Sequence, residues 1–319
     1  MSRVITQKSS GTTQSMLVKA TKDWSEDLKK FSIEPKGVFG STATVKCGNI
    51  TIKSDNLDIE FTVPFDDDME ANEAEIIVYN LSAATINNLK IKSGISIEAG
   101  YKNDTGVIFK GFINKVTTRH EGADKITTIK CLDDVTKRTV ENLSFAQNTK
   151  ASYILKTLID KTGIPTAVFK MRRDYTYKNE QTVDGDLMEN IKKYAQVCGV
   201  SVYVNKGKIY ARHIKDGDNI NFTVQASTGM IGSPEPYEEE MTAEDFKETI
   251  NGYNITMLLQ HRMTTAAIIN LSSEIAKGKF RVRSGTHTFS SSECTTTISV
   301  FWTIVNNLDT KRRKEKRLK

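Results

Sequence analysis

The feature that most constrains this chain is the alternation of apolar and polar residues between positions 75 and 113. In the segment from Ile95 to Tyr101, every second residue is apolar. Successive side chains of a strand point to opposite faces, so this period predicts a strand with one buried face. Turn-forming residues from Lys102 to Gly106 then lead into a second apolar segment, Val107–Ile113. The pattern therefore predicts a β-hairpin with a core beneath one face.

A single short helix is predicted among the strands of this region, over residues 83–90. Ser82 is expected to cap its N-terminus, because a serine hydroxyl accepts a hydrogen bond from the first free backbone N–H groups. Leu81, just before the cap, is expected to pack against Ile86 as a hydrophobic staple. Neither the helix nor the flanking strands contain a group of side chains typical of catalysis.

Strand patterns dominate both ends of the remaining sequence. Before residue 145 the predicted strands are Thr44–Ile52, Leu57–Val63, Ala74–Asn80, Ile95–Tyr101, Val107–Thr117 and Ile126–Leu132. After residue 215 they are Tyr253–Leu259, Ala267–Ser273, Gly278–Arg283, Gly285–Phe289 and Cys294–Val300. Many short strands joined by turns favour antiparallel barrels or sandwiches.

Between these regions the apolar period changes to that of helices. The segments Lys150–Lys161 and Leu187–Cys198 each carry an apolar stripe on one face, and Gly199 ends the second. A hairpin with a glycine turn is predicted at residues 200–212. We therefore predict a compact α+β unit over residues 146–214. Its stripes are typical of a core and contain no cofactor-binding motif.

The two ends of the chain differ in charge. Residues 1–20 are polar, and a short helix is predicted over Thr21–Phe31, in which Trp24 serves as a packing anchor. No apolar run approaches the roughly 20 residues that span a bilayer, and residues 1–20 lack the apolar centre of a signal peptide. Seven basic residues and one acidic residue in 311–319 account for the whole net charge of +6. This tail is expected to be solvated or to dock on a partner.

The candidate motifs for catalysis and metal binding lack required residues at the required spacing. His120-Glu121 begins like a zinc-protease motif, but position 124 is aspartate where a second histidine is required. The run Asp66-Asp67-Asp68 lacks the glycine and glutamate of a calcium-binding EF-hand, and we interpret it as a solvated acidic turn. The four cysteines are scattered, which is typical of buried thiols. We therefore predict no catalytic, cofactor-binding or metal-binding residue.

Segments at both ends of the chain carry a family resemblance. In the first part they are Tyr79-Asn-Leu-Ser82, Gly94–Tyr101 and Gly106-Val-Ile-Phe-Lys-Gly-Phe-Ile113. These resemble the first barrel of phage tail baseplate hub proteins of the late control D family. In the last third, Ile231-Gly-Ser-Pro234, Ile269-Asn-Leu-Ser-Ser273 and Gly285-Thr-His-Thr-Phe289 resemble the closing barrel of the same family.

The resemblance implies a mainly β protein with an α+β insert, made of two tail-tube-like antiparallel β-barrels and a small α+β domain. The implied divisions are an N-terminal extension with a short helix (1–39), a first barrel (40–145), an α+β domain (146–214), a second barrel (215–304) and a basic C-terminal tail (305–319). A homotrimer would present six similar barrels in a closed ring. The implied function is then a structural, non-enzymatic hub that joins a hexameric tail tube to a trimeric spike.

Further partners implied by the resemblance are a tape-measure protein and a peptidoglycan-binding baseplate protein. The implied location is the baseplate of a phage, prophage or bacteriocin tail particle, assembled in the cytoplasm of the host bacterium without membrane insertion. Expected partner-binding residues are Ser82, Ile86, Leu89, Trp302, Lys311, Arg312 and Arg313.

Two other functions remain open from the residues alone. The basic tail together with barrel grooves would suit nucleic-acid binding, with an affinity that falls steeply with salt. The tail lacks the interleaved aromatic residues that stack on bases, which disfavours nucleic acid as a partner. Paired carboxylates would permit peptidoglycan hydrolysis, because acidic residues are plentiful in the sequence.

Overall fold

The computed structural model describes residues 40–133, 139–243 and 246–302 and is dominated by β-strands. The strands before residue 146 are β1 (Ser41–Cys47), β2 (Ile50–Lys53), β3 (Ile59–Phe65), β4 (Glu73–Tyr79), β5 (Gly94–Tyr101), β6 (Asp104–Glu121), β7 (Asp124–Leu132) and β8 (Thr139–Phe145). The middle strands are β9 (Thr149–Lys150), β10 (Thr166–Phe169), β11 (Thr176–Tyr177), β12 (Gln181–Asp186), β13 (Ser201–Asn205) and β14 (Lys208–Arg212). The last strands are β15 (Asp218–Val224), β16 (Met230–Ala243), β17 (Phe246–Leu258), β18 (Ala267–Ser272), β19 (Lys277–Phe289) and β20 (Cys294–Trp302). The helices are α1 (Ala83–Asn88), α2 (Ala151–Lys161) and α3 (Leu187–Cys198).

Thirteen of these strands form one sheet, in the order β16-β17-β20-β19-β3-β4-β7-β6-β5-β1-β2, with β18 beside β19 and β15 beside β18. We call strands β1–β7 the first half and strands β15–β20 the second half of this sheet. The halves join where β3 pairs antiparallel with β19, with Phe61 opposite Phe289 and Phe65 opposite Gly285.

This joint links the two halves through a backbone edge. Among the described strands the halves form one continuous sheet, and neither half closes on itself. Strand β19 pairs with an edge of β3 that would otherwise remain open. Closure of each half into a barrel stays a prediction.

Two of the predicted strand boundaries are wrong, and a glycine explains each. The segment Thr44–Ile52 was expected to be one strand, but Gly48 adopts a φ of +55° and turns the chain between β1 and β2. Residues 278–289 were expected to form two strands, but they form the single strand β19. Gly285 lies within it opposite β3 and β20, where a Cβ would come 2.5 Å from the Phe65 ring. Glycine there allows two strands to approach closely instead of making a turn.

The described residues of the acidic stretch, 237–243 and 246–248, belong to two long paired strands. Strands β16 and β17 pair from Met230 opposite Met257 as far as Ala243 opposite Phe246. Strand β17 is therefore longer than the predicted Tyr253–Leu259. The helix predicted over residues 21–31 lies outside the described residues.

Three apolar clusters form the core. The first half buries residues such as Ile76, Ile97 and Ile129 at 0% exposure, and the second half buries residues such as Phe280 and Val300 in a cluster of its own. A third cluster, described with the helices below, belongs to the middle of the chain. Each fully buried aliphatic side chain contributes roughly 1.5–3 kcal/mol.

The two amphipathic helices of the middle region confirm the sequence pattern. Helix α3 begins at Asp186, whose side chain accepts hydrogen bonds from the backbone N–H groups of Met188 and Glu189, and it ends at Gly199 with a left-handed φ of +65°. Its buried stripe faces that of α2. Among the described residues, no helix combines the length and apolar character needed to cross a membrane.

Candidate functional site at the junction of the two sheet halves

The first group of predicted contact residues lies on and beside α1. The Ser82 hydroxyl accepts a hydrogen bond from the backbone N–H of Thr85 at 3.0 Å, which confirms the predicted cap. Ile86 is half-buried against the core of the first half, and Leu89 is a core residue with 6% exposure. Leu89 therefore anchors the helix to the sheet. Partner binding through this helix stays a prediction, and the most exposed apolar residue beside it is Ile91, at 61%.

The second group lies at the C-terminal end of β20. The Trp302 ring packs on Phe280, with 4.2 Å between ring centroids, and remains 36% exposed. Strands β19 and β3 separate β20 from β4, the strand that precedes α1, so the structure does not bring Trp302 together with Ser82. The remaining predicted contact residues, Lys311, Arg312 and Arg313, lie outside the described residues.

Asp67 corrects the interpretation of the acidic run as a solvated turn. Its carboxylate has no exposed surface and accepts a hydrogen bond from Arg281 Nη1 at 2.5 Å, with the Arg281 side chain also at 0% exposure. Asp67 belongs to the loop between β3 and β4, whereas Arg281 lies on β19. The pair therefore fastens the first half of the sheet to the second half.

Further polar contacts surround this pair. Arg283, also on β19, contacts both Asp67 and Glu239 of β16, with 3.2 Å from Arg283 Nη2 to Glu239 Oε1. Arg281 Nε donates to the Asp216 carbonyl at 2.9 Å, and burial lowers the pKa of Arg281 to about 10. Removing two charges from water costs several kcal/mol, so a buried ion pair adds little net stability. The pair instead fixes the register of β19 against β3, because only one alignment of the two strands gives both charges a partner.

Asp104 forms a second connection between the halves. It lies at the turn between β5 and β6 and receives two hydrogen bonds of 2.6 Å from the Arg262 guanidinium, in the loop after β17. His261 Nε2 lies 3.0 Å from the same carboxylate. Hydrogen bonds from Arg262 lower the pKa of Asp104 to about 2, while burial lowers the pKa of His261. A two-pronged contact of this kind fixes both distance and angle.

Gly106 explains why this turn can approach the second half so closely. A Cβ at position 106 would lie 2.1 Å from His261 Nδ1. Real side-chain carbons do not come that near to a ring nitrogen, so any other residue would push the loop away. The glycine within the predicted turn Lys102–Gly106 thus serves the junction as well as the hairpin.

The turn between β13 and β14 inserts at the same junction. Asn205 Oδ1 accepts a hydrogen bond from Thr264 Oγ1 at 2.8 Å, and Lys206 Nζ donates to the His261 carbonyl at 3.3 Å. Burial and the nearby charge of Lys110 lower the pKa of Lys206 to about 8. Lys110 belongs to β6, so this turn touches both halves of the sheet.

A buried arginine ties the end of β14 to the beginning of β15. Arg212 donates to the Tyr203 hydroxyl at 2.8 Å and forms a two-pronged pair with Asp218 at 2.8 and 3.0 Å. Its guanidinium also lies over the Tyr203 and Tyr210 rings, at 5.8 and 5.1 Å from their centroids. The middle region is therefore held to the second half by charge and by ring contacts.

The polar side chains at this junction hold the two halves of the sheet together. His287, beside it, is buried, with one ring nitrogen 2.8 Å from Thr296 Oγ1 and the other 3.1 Å from the Met263 carbonyl; burial lowers its pKa to about 3. Among the described residues, no group of three or more His, Cys, Asp or Glu side chains is placed to hold a metal ion. What the arrangement can do is fix the relative positions of the two halves and of the middle region.

Sequence reasoning missed these connections. Asp67 and Arg281 are 214 positions apart, and Asp104 and Arg262 are 158 positions apart. One signal was available, since the run Lys279-Phe-Arg-Val-Arg283 alternates charged with apolar residues within a predicted strand. An arginine within a central strand needs an acidic partner.

A family model described as baseplate hub gp41 matches residues 42–279. The chain belongs to the baseplate hub gp41 family. Membership gives the chain a structural role in a phage baseplate and makes it part of the tail particle. It also agrees with the hub resemblance seen in the sequence.

Several solved structures share the fold of this family member. The 43 kDa tail protein of prophage MuSo2 from Shewanella oneidensis has a TM-score of 0.58 at 8% identity, over 81% of this chain and 97% of that chain. A tail protein from Neisseria meningitidis MC58 has a TM-score of 0.57 at 9% identity, over 82% and 96%. An Escherichia coli component of the type VI secretion system, described as structurally similar to T4 bacteriophage tail proteins gp27 and gp5, has a TM-score of 0.57 at 10% identity, over 80% and 76%. A sequence search of curated proteins finds no significant match.

Proposed function

We propose that this chain is the baseplate hub itself, a homotrimer whose ring has pseudo-sixfold symmetry and joins a hexameric tail tube to a trimeric spike. In the assembled ring the two tail-tube-like units would be barrels over residues 40–145 and 215–304. The α+β domain, residues 146–214, would sit between them in sequence. Residues 1–39 and 305–319 would form an N-terminal extension and a basic tail.

The observation that best supports this proposal is that the sheet consists of two joined halves. Each half of the thirteen-stranded sheet supplies most of the residues of one apolar cluster, and the halves join edge to edge through β3 and β19. Three copies of such a two-part chain supply six similar units, which is what a sixfold tube requires. The true threefold symmetry of the same ring suits a trimeric spike on its other side.

The junction supports the proposal because a ring closes only if its angles are fixed. The Asp67–Arg281 and Asp104–Arg262 pairs hold one half against the other at two separate places. Flexible halves would let neighbouring copies meet at varying angles and leave the ring open. We therefore assign these pairs to geometry and not to catalysis.

Contacts between copies are proposed to involve α1 and the exposed apolar residues near it. Ser82 and Ile86 belong to this surface, and Ile91 extends it. Trp302, at the end of β20, and the basic residues Lys311, Arg312 and Arg313 are proposed to contact other baseplate proteins. Those proteins would be the tail tube protein, the spike, a tape-measure protein and a peptidoglycan-binding component. Assembly is proposed to take place in the cytoplasm of the host bacterium.

The test is the absolute mass of the purified chain by light scattering, alone and mixed with its tube and spike partners. We expect three copies per complex, either alone or once the spike is present. A chain that stays monomeric with both partners would refute the ring. Ile91→Glu should prevent the trimer, whereas Ile275→Glu, an equally exposed isoleucine between β18 and β19, should not.

A further inference from the structure

Positive charge within residues 40–302 is concentrated in the middle region. Residues 146–214 hold twelve lysines and arginines but only six aspartates and glutamates. The strand-rich parts on either side have the opposite excess, with ten basic and fourteen acidic residues over 40–133 and seven basic and eleven acidic residues over 215–302. The middle region is therefore the part of this stretch that attracts a polyanion.

Several of these cations lie together at the C-terminal end of α3. The Arg173 guanidinium donates to two of the last carbonyls of this helix, at 2.9 and 3.1 Å, which holds it against the final turn. Lys192 and Lys193 are exposed on α3 one turn before those carbonyls. The acidic Glu189 belongs to the first turn of the helix, so the C-terminal end is the basic one.

An exposed tyrosine lies beside these cations. Tyr175 is 54% exposed, and its ring packs at nearly a right angle against Tyr177, with 4.9 Å between the centroids. Tyr177 lies 6.0 Å from the buried Tyr194 of α3, and Lys193 Nζ lies 5.5 Å from the centre of that same ring. The Tyr175 ring is therefore supported by two other rings and shares a surface with the cations of α3.

We call this the basic tyrosine surface, and its exposed members are Arg172, Arg173, Tyr175, Lys178, Lys192 and Lys193. Asp174 is the one acidic residue between positions 170 and 178. Its carboxylate accepts hydrogen bonds from the backbone N–H and the hydroxyl of Ser152, at 3.0 and 2.7 Å, and pairs with Lys150 at 3.9 Å. The negative charge of Asp174 is thus engaged at the start of α2.

We propose that the basic tyrosine surface binds single-stranded nucleic acid, with the cations on phosphates and the Tyr175 ring stacked on an unpaired base. Cations beside an exposed aromatic ring are the arrangement by which proteins hold single strands without reading their sequence. An acidic protein is a poorer match, because lysine is depleted from protein–protein interfaces and three lysines belong to this surface. The binding goes beyond the proposed hub function and does not depend on it.

Fluorescence anisotropy with a labelled oligothymidylate of about 20 nucleotides tests the proposal on the full-length chain. Tyr175→Ala should weaken binding about tenfold, because the stacking of one base is lost, whereas Tyr175→Phe keeps the ring and should bind like the parent chain. The Lys192→Gln, Lys193→Gln double variant should reduce the slope of log Kd against log salt by roughly 1.4, at about 0.7 for each phosphate contact. The Lys90→Gln, Lys92→Gln double variant is the matched control, since both lysines are exposed beside α1, and its slope should not change.

Each comparison is repeated in a chain that ends at Thr310, so that the basic tail does not mask the effect, and urea denaturation checks that each variant is folded. A duplex of the same length should bind more weakly than the single strand, because its bases are paired and stacked on one another. Tighter binding to the duplex would show that charge alone is recognised and would overturn the proposal.

Two further results would overturn it. Equal affinities of Tyr175→Ala and the parent chain would exclude stacking on this ring. Displacement of the oligonucleotide by polyglutamate as readily as by unlabelled oligothymidylate would assign the surface to an acidic protein instead. The isolated chain is sufficient for all of these measurements, so their outcome is distinct from that of the trimer test.

Discussion

Asp67 and Arg281 lie 214 positions apart in the sequence, yet their side chains form an ion pair of 2.5 Å with no exposed surface on either partner. One comes from the loop after β3 and the other from β19, so the pair reports directly on how the two halves of the sheet meet. Its charges are useful only together, because either one alone would be buried without compensation.

Replacing Asp67 should be strongly destabilising. Asp67→Asn preserves shape but leaves Arg281 buried opposite a neutral group, and we expect a loss of about 3–5 kcal/mol in the free energy of unfolding. Urea denaturation of the purified chain measures it. The matched control is Asp68→Asn, an exposed neighbour that should change stability by no more than about 0.5 kcal/mol.

A double variant separates charge compensation from simple loss of packing. Replacing both partners, Asp67→Leu with Arg281→Met, should recover much of the stability lost in Asp67→Asn. A loss below about 1 kcal/mol in Asp67→Asn itself would contradict the description of Arg281 as a charge that depends on this partner.

The Asp104 contact should weaken in acid. Its pKa in the folded chain is lowered to about 2 by Arg262, below the usual value of about 3.9 in an unfolded chain. Its stabilising contribution is therefore complete above pH 4 and is lost as the pH falls through 2. Because the carboxylate is 31% exposed, we expect about 1–2 kcal/mol after allowing for screening by water.

The measurement for Asp104 is the difference in unfolding free energy between the parent chain and Asp104→Asn as a function of pH. The difference should be largest near neutral pH and should shrink between pH 4 and pH 2. A difference that stays constant over this range would show that the hydrogen bonds to Arg262 do not depend on the charge of Asp104.

Gly106→Ala should separate the β5–β6 turn from the second half. The added methyl group would meet the His261 ring at 2.1 Å, and relieving such overpacking costs about 1–3 kcal/mol. Gly94→Ala is the control, because a Cβ at that position meets no atom within 4 Å. Thermal unfolding of the two variants compares them, and equal midpoints would refute the close contact at position 106.

Sequence periodicity was sufficient for most elements, because it records which face of each strand or helix is buried, whereas the family was indicated by the resemblance of residue motifs in the first part and the last third of the chain. Ser82 as a helix cap and the stripe from Leu187 to Cys198 are local patterns of this kind, and the structure confirms both. The roles of Gly48 and Gly285 were harder to predict. A glycine marks either a turn or a close approach of two strands, and the sequence alone does not distinguish the two.

The junction could not be predicted from the sequence, because its partners are chosen by the meeting of distant strands. Asp66, Asp67 and Asp68 look equivalent in the sequence, yet only the pairing of β3 with β19 decides that Asp67 faces Arg281. The same holds for Lys206, which is buried because the β13–β14 turn packs at the junction of the two halves. Such contacts follow from tertiary structure, and local pattern carries little information about them.

The pairing of β3 with β19 also has a consequence for biosynthesis. Phe65 leaves the ribosome more than 200 residues before its partner Gly285, which at 5–20 residues per second is roughly 10–45 s of translation. Throughout that interval the nascent chain carries an open edge on an apolar strand, a site where another chain can pair. Production of this protein at high concentration should therefore be limited by aggregation of incomplete chains, and slower initiation or a lower temperature should improve its soluble yield.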